Sequence, residues 1–317
     1  MIRIGSRGSK LALWQANWVK EKLEKRFPDA EVSIKIIKTT GDRLQQETEV
    51  SQSIPKGLFT KEIQDAVLRN EVDIAVHSLK DLPTDTHEGL TLVSITKRED
   101  PHDAVVCRSS TTKLADLPQA ARVGTSSTRR RSQLLNLRPD LQIEEVRGNV
   151  DTRLRKLDEG EFDCLLLAAA GLIRLGLKDR ISELLSPEVM VPAVGQGALA
   201  IETRSDDKET QRYIRTLNHK ATHICCYAER VFLEALGGGC QVPIAAHAQI
   251  EKERLMLRGC VASLDGKIVV KRAISGTVEE AEFLGNKLAE KILAAGADKL
   301  LKEIKTLGRS NTPSKIG

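Results

Sequence analysis

"DIAVHSLKDLP", residues 73–83, holds a short apolar run that turns polar at His77 and stops at Pro83. A run this short, bounded by turn residues, reads as a strand buried on both faces of a parallel sheet. In open α/β sheets, ligands gather beyond the carboxyl ends of the strands. His77, Ser78, Lys80 and Asp81 are therefore expected to emerge where chemistry takes place. Asp81 beside Lys80 suits a proton-transfer carboxylate held by a cation. A solvated Lys–Asp loop capped by Pro83 fits the same residues.

The surroundings extend the α/β reading. Residues 2–5 form a strand, and Ser9 caps a helix running to Phe27 with Leu11, Trp14, Trp18 and Val19 on one face. "EVSIKIIKT" (31–39) alternates as a strand, and "LFTKEIQDAVLRN" (58–70) is helical. This β-α-β-α-β rhythm predicts a largely parallel sheet with helices on its faces. The rhythm resumes after "REDPHD" (98–103), with strands at "DAVVCR", "LQIEEVRG" and the start of "DCLLLAAAGLIRLGL". Residues 198–203 then read as a strand returning to the first sheet, so the second unit is inserted into the first. The division expected is 1–97 with 198–216, then 101–191, then 220–310, with a disordered tail at 311–317. The third unit is a small α+β domain with an antiparallel sheet. Two of its strands join through Asp265–Gly266, a hairpin signal, and its last helix breaks near Gly296.

With 317 residues, two or three domains are expected. Aromatic residues make up only 3%, which speaks against a single-stranded nucleic-acid binder, because such proteins stack bases on aromatic faces. The opening "MIRIGSRGSKLALWQ" lacks a signal-peptide layout, and no apolar run is long enough for a bilayer. A cytoplasmic protein, bound to neither membrane nor nucleic acid, is expected. The six cysteines form no CxxC pair, so neither a disulfide framework nor a metal site is expected. His219 and His223, at helical spacing, read as surface residues.

Between Arg122 and Arg155 stand eight arginines, no lysine and four acids. Arginine without lysine points to planar, bidentate recognition of carboxylate or phosphate. "GTSSTRRRSQLL" (124–135) sets Ser126, Ser127, Arg129 and Arg130 at a helix start, where backbone N–H groups favour an anion. Arginines there oppose the helix dipole, so a bound anion is expected to compensate them. "EEVRGNVDTRL" (144–154) repeats the shape with Arg147, the Gly148–Asn149 turn and Arg153. "GSRGSK" (5–10) adds Arg7 and Ser9. Arg174 either joins these turns or covers a helix surface. "GQGALA" (195–200) mimics a dinucleotide fingerprint but precedes a strand rather than a helix, so nucleotide binding is not supported. "GGGC" (237–240) leaves Cys240 open between buried filler, metal ligand, nucleophile and attachment point.

Taken together, "GSRGSKLALWQA", "KGLFTKEI", "DIAVHSLKDLP", "REDPHDA", "VGTSSTRRRSQL", "RGNVDTRL", "LAAAGLIRLGL", "PAVGQGALAIE" and "GGGCQVPI" resemble the porphobilinogen deaminase family, in family order over about residues 1–245. The resemblance implies two α/β domains like those of periplasmic binding proteins, with mixed, mostly parallel sheets and a cleft between them. It implies head-to-tail condensation of four porphobilinogen molecules with loss of ammonia, then hydrolysis to hydroxymethylbilane. The growing polypyrrole chain is held on a dipyrromethane cofactor, linked by a thioether to the cysteine that matches Cys240. The catalytic aspartate falls on Asp81. Binding roles fall on Arg7, Ser9, Lys56, Phe59 and Thr125 to Ser127, and on Arg129, Arg130, Arg147, Arg153, Arg174 and Gln196. A lysine that some members carry four residues before Lys56 is Gln52 here. No metal is implied, and a monomer is expected.

Overall fold

The computed structural model describes residues 1–39, 60–85, 87–238 and 242–310, except the side chains of 305 and 307–310. Gln52, Lys56, Phe59, Cys240 and the tail 311–317 lie outside the described residues.

Strand β1 (Ile2–Ser6) pairs in parallel with β2 (Val32–Ile36) and β3 (Ile74–Ser78). β4 (Leu90–Ile95) completes that sheet through β10 (Leu199–Arg204), which runs antiparallel to both β3 and β4. The order is β2-β1-β3-β10-β4. The second sheet repeats this plan with β5 (Asp103–Cys107), β6 (Arg122–Gly124), β7 (Gln142–Glu144), β8 (Cys164–Ala168) and β9 (Glu183–Leu185), in the order β7-β6-β8-β5-β9. Here β5 alone runs against its neighbours. Both sheets are thus mixed and mostly parallel in direction, the class expected from the sequence. The third sheet is the antiparallel meander β11 (Ile244–Glu251), β12 (Arg254–Ala262) and β13 (Val269–Thr277).

The helices are α1 (Lys10–Arg26), α2 (Lys61–Leu68), α3 (Thr128–Leu137), α4 (Val150–Asp158), α5 (Ala169–Arg174), α6 (Lys208–Arg215), α7 (Lys220–Ala235), α8 (Ala281–Ile292) and α9 (Asp298–Ser310). Helices α7 and α8 cover the meander with Phe232, Leu288 and Ile292 fully buried. Gly296, at φ +102°, breaks the last helical stretch where the sequence suggested. Among the described residues, no helix is long and apolar enough to cross a membrane.

Helix α1 corrects one expectation. Its face against the first sheet is Ala16, Val19 and Leu23, while Leu11, Trp14 and Trp18 are only partly buried. Trp14 instead meets Arg174 of the second unit, whose guanidinium carbon lies 5.6 Å from its ring centroid. The apolar stripe read from the sequence merges two contacts, one with the sheet and one with α5.

The chain crosses between the sheets twice, and the two crossings lie side by side. Thr96 N–H donates to Leu199 O (3.1 Å), and Glu99 N–H donates to Gly197 O (3.0 Å). Gly197 has φ +89°, and a Cβ there would stand 2.3 Å from Glu99 O. Gly197 of "GQGALA" therefore serves a close approach of two backbones, while a Cβ at Gly195 would meet the Leu79 side chain at 2.7 Å. Gly197→Ala adds a strained left-handed residue to a backbone clash, and a loss of about 2 kcal/mol or more is expected. Thermal unfolding followed by circular dichroism should show a melting point several degrees lower. An unchanged melting point would mean that the crossings separate without cost.

Candidate active site

β3 ends at Ser78, whose Oγ accepts from Gln15 Nε2 of α1 (2.9 Å). The chain then tightens into a 3₁₀ turn, Leu79–Asp81. Leu79 is buried and donates its N–H to Ala198 O (3.0 Å), leaving Lys80 and Asp81 half-exposed at the strand's carboxyl end. His77 does not join them. Strand alternation turns it into the protein, with Nε2 3.1 Å from Glu202 Oε2. Gln64 Nε2 donates to the same carboxylate oxygen (3.0 Å).

Across from this turn, α3 presents Arg129 and Arg130, both buried. Their counter-charge is Asp103, fully buried at the start of β5. Arg129 grips it bidentately, Nη1 to Oδ2 at 2.6 Å and Nη2 to Oδ1 at 3.0 Å. Arg130 donates from Nε (2.9 Å), and its Nη2 lies 2.8 Å from the same carboxylate. Burial alone would raise the Asp103 pKa; the two guanidiniums outweigh it and hold the group well below the ordinary carboxylate range. The anion expected to compensate these arginines is thus part of the chain. The turn's hydroxyls also work locally: Ser127 Oγ caps Arg130 N–H (3.4 Å), Ser126 Oγ donates to Val146 O (2.7 Å), and Thr125 Oγ1 accepts from Ser127 N–H (3.3 Å).

Gln196 joins the two sides. Its Nε2 donates to Asp103 Oδ1 (3.0 Å) and to Pro101 O (2.7 Å), and its Oε1 lies 3.5 Å from Lys80 Nζ. The charge of Asp81 reaches Arg130, and that of Arg130 reaches Arg153. Asp81 on the first unit thus lies within electrostatic reach of Arg130 on the second.

Two arginines of this region have no carboxylate within salt-bridge distance among the described residues. Arg153 Nε donates only to Gly148 O (2.8 Å), whose residue turns at φ +101°. Burial, then the neighbouring Arg130 charge, pushes Arg153 down to about 10. Arg174 Nη2 donates to Gly197 O (2.6 Å), and burial likewise pushes it to about 10, with the Glu99 charge opposing. Both retain their charge at neutral pH without a carboxylate in direct contact among the described residues, the condition that favours an incoming carboxylate. Arg147, by contrast, is exposed and lies 3.2 Å from Glu145 Oε2. Arg7 is half-buried just beyond β1, and Ser9 Oγ caps α1 through Ala12 N–H (3.3 Å).

Helix α7 anchors the third unit to the crossings. Glu229, fully buried, pairs bidentately with Arg98 (2.7 and 2.9 Å) and accepts from Gly195 N–H and Ala248 N–H, each at 2.7 Å. At its far end the helix closes with Gly237 N–H on Glu234 O (2.8 Å) and Gly238 N–H on Leu233 O (3.1 Å), a Schellman termination with Gly237 at φ +57°. A Cβ at Gly238 would stand 2.5 Å from Leu233 Cδ1 and 2.6 Å from Ile244 Cδ1. Two glycines of "GGGC" thus end a helix and admit close packing, and Cys240 follows two residues after them.

Sequence reasoning missed Asp103, Arg98 and Glu229, and also Gln133, whose amide brackets Val191 through Val191 N–H (2.9 Å) and Val191 O (3.0 Å). The opposed helix dipole was a usable signal for Asp103; a contact between residues 98 and 229 left none. Among the described residues no cluster of three His, Cys, Asp or Glu side chains forms a metal site. Asp103→Ala strands two buried guanidiniums, and a loss of about 3–5 kcal/mol is expected in denaturant melts. Because the folded pKa of Asp103 is depressed, its contribution is present above about pH 4 and is lost as the pH falls below that. Wild-type stability above pH 5 in the alanine variant would contradict this.

Residues 2–212 match the model of the porphobilinogen deaminase, dipyromethane cofactor binding domain, and residues 223–294 that of the porphobilinogen deaminase C-terminal domain. The porphobilinogen deaminase of Geobacter metallireducens is 54% identical over 303 residues, covering 96% of this chain and 94% of its own. That of Chlorobium chlorochromatii is 50% identical over 306 residues, covering 95% and 97%. Solved structures similar to the chain include the periplasmic VFT2 domain of Bordetella pertussis BvgS, with TM-score 0.41 and 11% identity over 68% of this chain and 86% of that one. A probable amino-acid ABC transporter extracellular-binding protein from Bacillus subtilis matches with TM-score 0.39 and 12% identity over 68% and 89%. The chain belongs to the porphobilinogen deaminase family.

Proposed function

We propose that Asp81 is the catalytic carboxylate of porphobilinogen polymerisation, that Cys240 carries the dipyrromethane primer, and that the arginine wall binds the carboxylates of the growing chain. The enzyme is a transferase of tetrapyrrole biosynthesis. It condenses four porphobilinogen molecules head to tail with loss of ammonia, then releases hydroxymethylbilane by hydrolysis. The observation that supports the residue assignment is the contrast between Asp81 on the first unit and, on the second, the half-buried guanidinium of Arg153, without a carboxylate partner among the described residues. Arg174 adds a second such charge at the crossings.

Each pyrrole unit bears an acetate and a propionate, so elongation adds negative charge at every step. Uncompensated guanidiniums suit that donor set, which is why these residues fit the dipyrromethane as well as the substrate. When bound, the dipyrromethane supplies the free pyrrole carbon to which the first substrate is joined. Asp81 acts on the substrate. It holds the ammonium leaving group and stabilises the positive charge that spreads onto the pyrrole nitrogen as ammonia departs. It also relays the proton lost when the new ring junction regains aromaticity. Lys80, near Gln196, keeps the Asp81 turn fixed to the Asp103 network. Arg129 and Arg130 share the Asp103 charge and hold the shape of the wall, while Arg7, Ser9, Ser78, Lys56, Phe59, Thr125, Ser126, Ser127, Arg147 and Gly148 line or support substrate binding in this proposal.

The same proposal divides the chain at 1–97 with 198–216, 101–191 and 220–310, and takes it as a cytoplasmic monomer. Sedimentation at the mass of a single chain is the expected result. Asp81→Asn is expected to lower kcat by about 10²-fold or more while substrate binding persists, because the charge lost acts on the transition state. Near-normal turnover in that variant would remove Asp81 from the catalytic role.

A further inference from the structure

Cys107 and Cys164 stand opposite each other in the β5–β8 ladder. Cys107 N–H turns away to Ser182 Oγ (3.0 Å), and Val105 O takes Ser182 N–H (2.9 Å). Residues 103, 105 and 107 therefore address β9 with their backbone, and Cys107–Cys164 is a non-hydrogen-bonded pair of the β5–β8 ladder. Such pairs hold their Cα atoms about 4.5 Å apart, within the span of a disulfide. Both side chains lie in one buried cluster with Val105, Leu134 and Leu166, on the same face of the sheet. The other described cysteines differ: Cys225 and Cys226 are neighbours along α7, and Cys260 sits on β12. The polymerisation reaction uses none of these thiols.

We propose that Cys107 and Cys164 form a cross-strand dithiol that closes to a disulfide on meeting a small-molecule disulfide oxidant. Cys107 attacks one sulfur of the oxidant as its thiolate, expelling one thiol and leaving a mixed disulfide. Cys164 gives up its proton and attacks Cys107 Sγ, expelling the second thiol. Two protein thiols are oxidised and one external disulfide is reduced. Position assigns the roles, since Cys107 keeps 4% exposure at the end of β5 and Cys164 keeps none. Hydrogen bonding from Cys164 lowers the Cys107 pKa despite burial, with Ser182 assisting, and the same contact raises that of Cys164. Access comes from the ladder's end, since Cys107 is the last residue of β5 and residues 108–111 are exposed.

The bond would clamp the strands that supply the acceptors of Arg130, namely Asp103 on β5 and Leu166 O on β8. Turnover is expected to stay unchanged, because neither sulfur touches the cleft residues, while closing the loop between the cysteines raises resistance to unfolding.

The test treats the native holoenzyme with hydroxyethyl disulfide, alkylates the remaining thiols and maps peptides by mass spectrometry. A peptide pair joined through Cys107 and Cys164, reversed by dithiothreitol and accompanied by a melting point a few degrees higher, is expected. Cys164→Ala should abolish the joined peptide, and Cys107→Ser provides the same control from the other strand. Free, alkylatable Cys107 and Cys164 after treatment, or joining through other cysteines, overturns the proposal. A disulfide that leaves the melting point unmoved overturns its stabilising role.

Discussion

A single buried carboxylate, Asp103, holds the two α/β units in working relation. It lies at the start of a strand in the second sheet, takes four contacts from Arg129 and Arg130, and reaches the first unit through Gln196 and Lys80. A charge with no exposure survives in a protein only when it is paired and fully hydrogen-bonded. Here the pairing also ties three elements together. The guanidinium of Arg129 extends to Val191 O on the second crossing, and that of Arg130 to Leu166 O on the central strand. Helix α3 is thereby fixed to the sheet, to the crossing and to the turn that bears Asp81.

The third unit attaches to the same place by the same kind of bond. Arg98 on the first crossing and Glu229 on α7 form a second buried pair, and Glu229 also collects backbone donors from Gly195 and Ala248. Helix α7 thus runs from the junction of the crossings to the loop that bears Cys240. Two buried ion pairs, Asp103 with Arg129 and Arg130 and Glu229 with Arg98, thus hold the three units to the crossings. Arg153 and Arg174 have no carboxylate partner among the described residues and donate instead to Gly148 O and Gly197 O.

The architecture was legible because its signals are local. An apolar run ending in a polar turn marked β3, an apolar run passing into a helix marked β8, and the strand read at 198–203 does return to the first sheet as β10. Asp81 and the basic turns were legible for the same reason. Compensation of charge was not, since it depends on which residues the fold brings together over long separations. The dipole conflict at Arg129 and Arg130 demanded an anion, and only the antiparallel insertion of β5 shows that Asp103 supplies it. Two glycines depend on their neighbours in a similar way. Gly197 and Gly238 each answer to a neighbour's atoms, Glu99 O in one case and Leu233 with Ile244 in the other.

Placing polymer growth on a tether three residues beyond Gly237 makes covalent attachment at Cys240 the claim on which the rest of the chemistry turns. Intact mass of the purified native protein and of Cys240→Ser tests it most directly. The native chain is expected to exceed its sequence mass by a two-ring dipyrromethane, with Cys240→Ser at its unmodified mass and inactive. An active native protein of unmodified mass, or an adduct retained by Cys240→Ser, would contradict it.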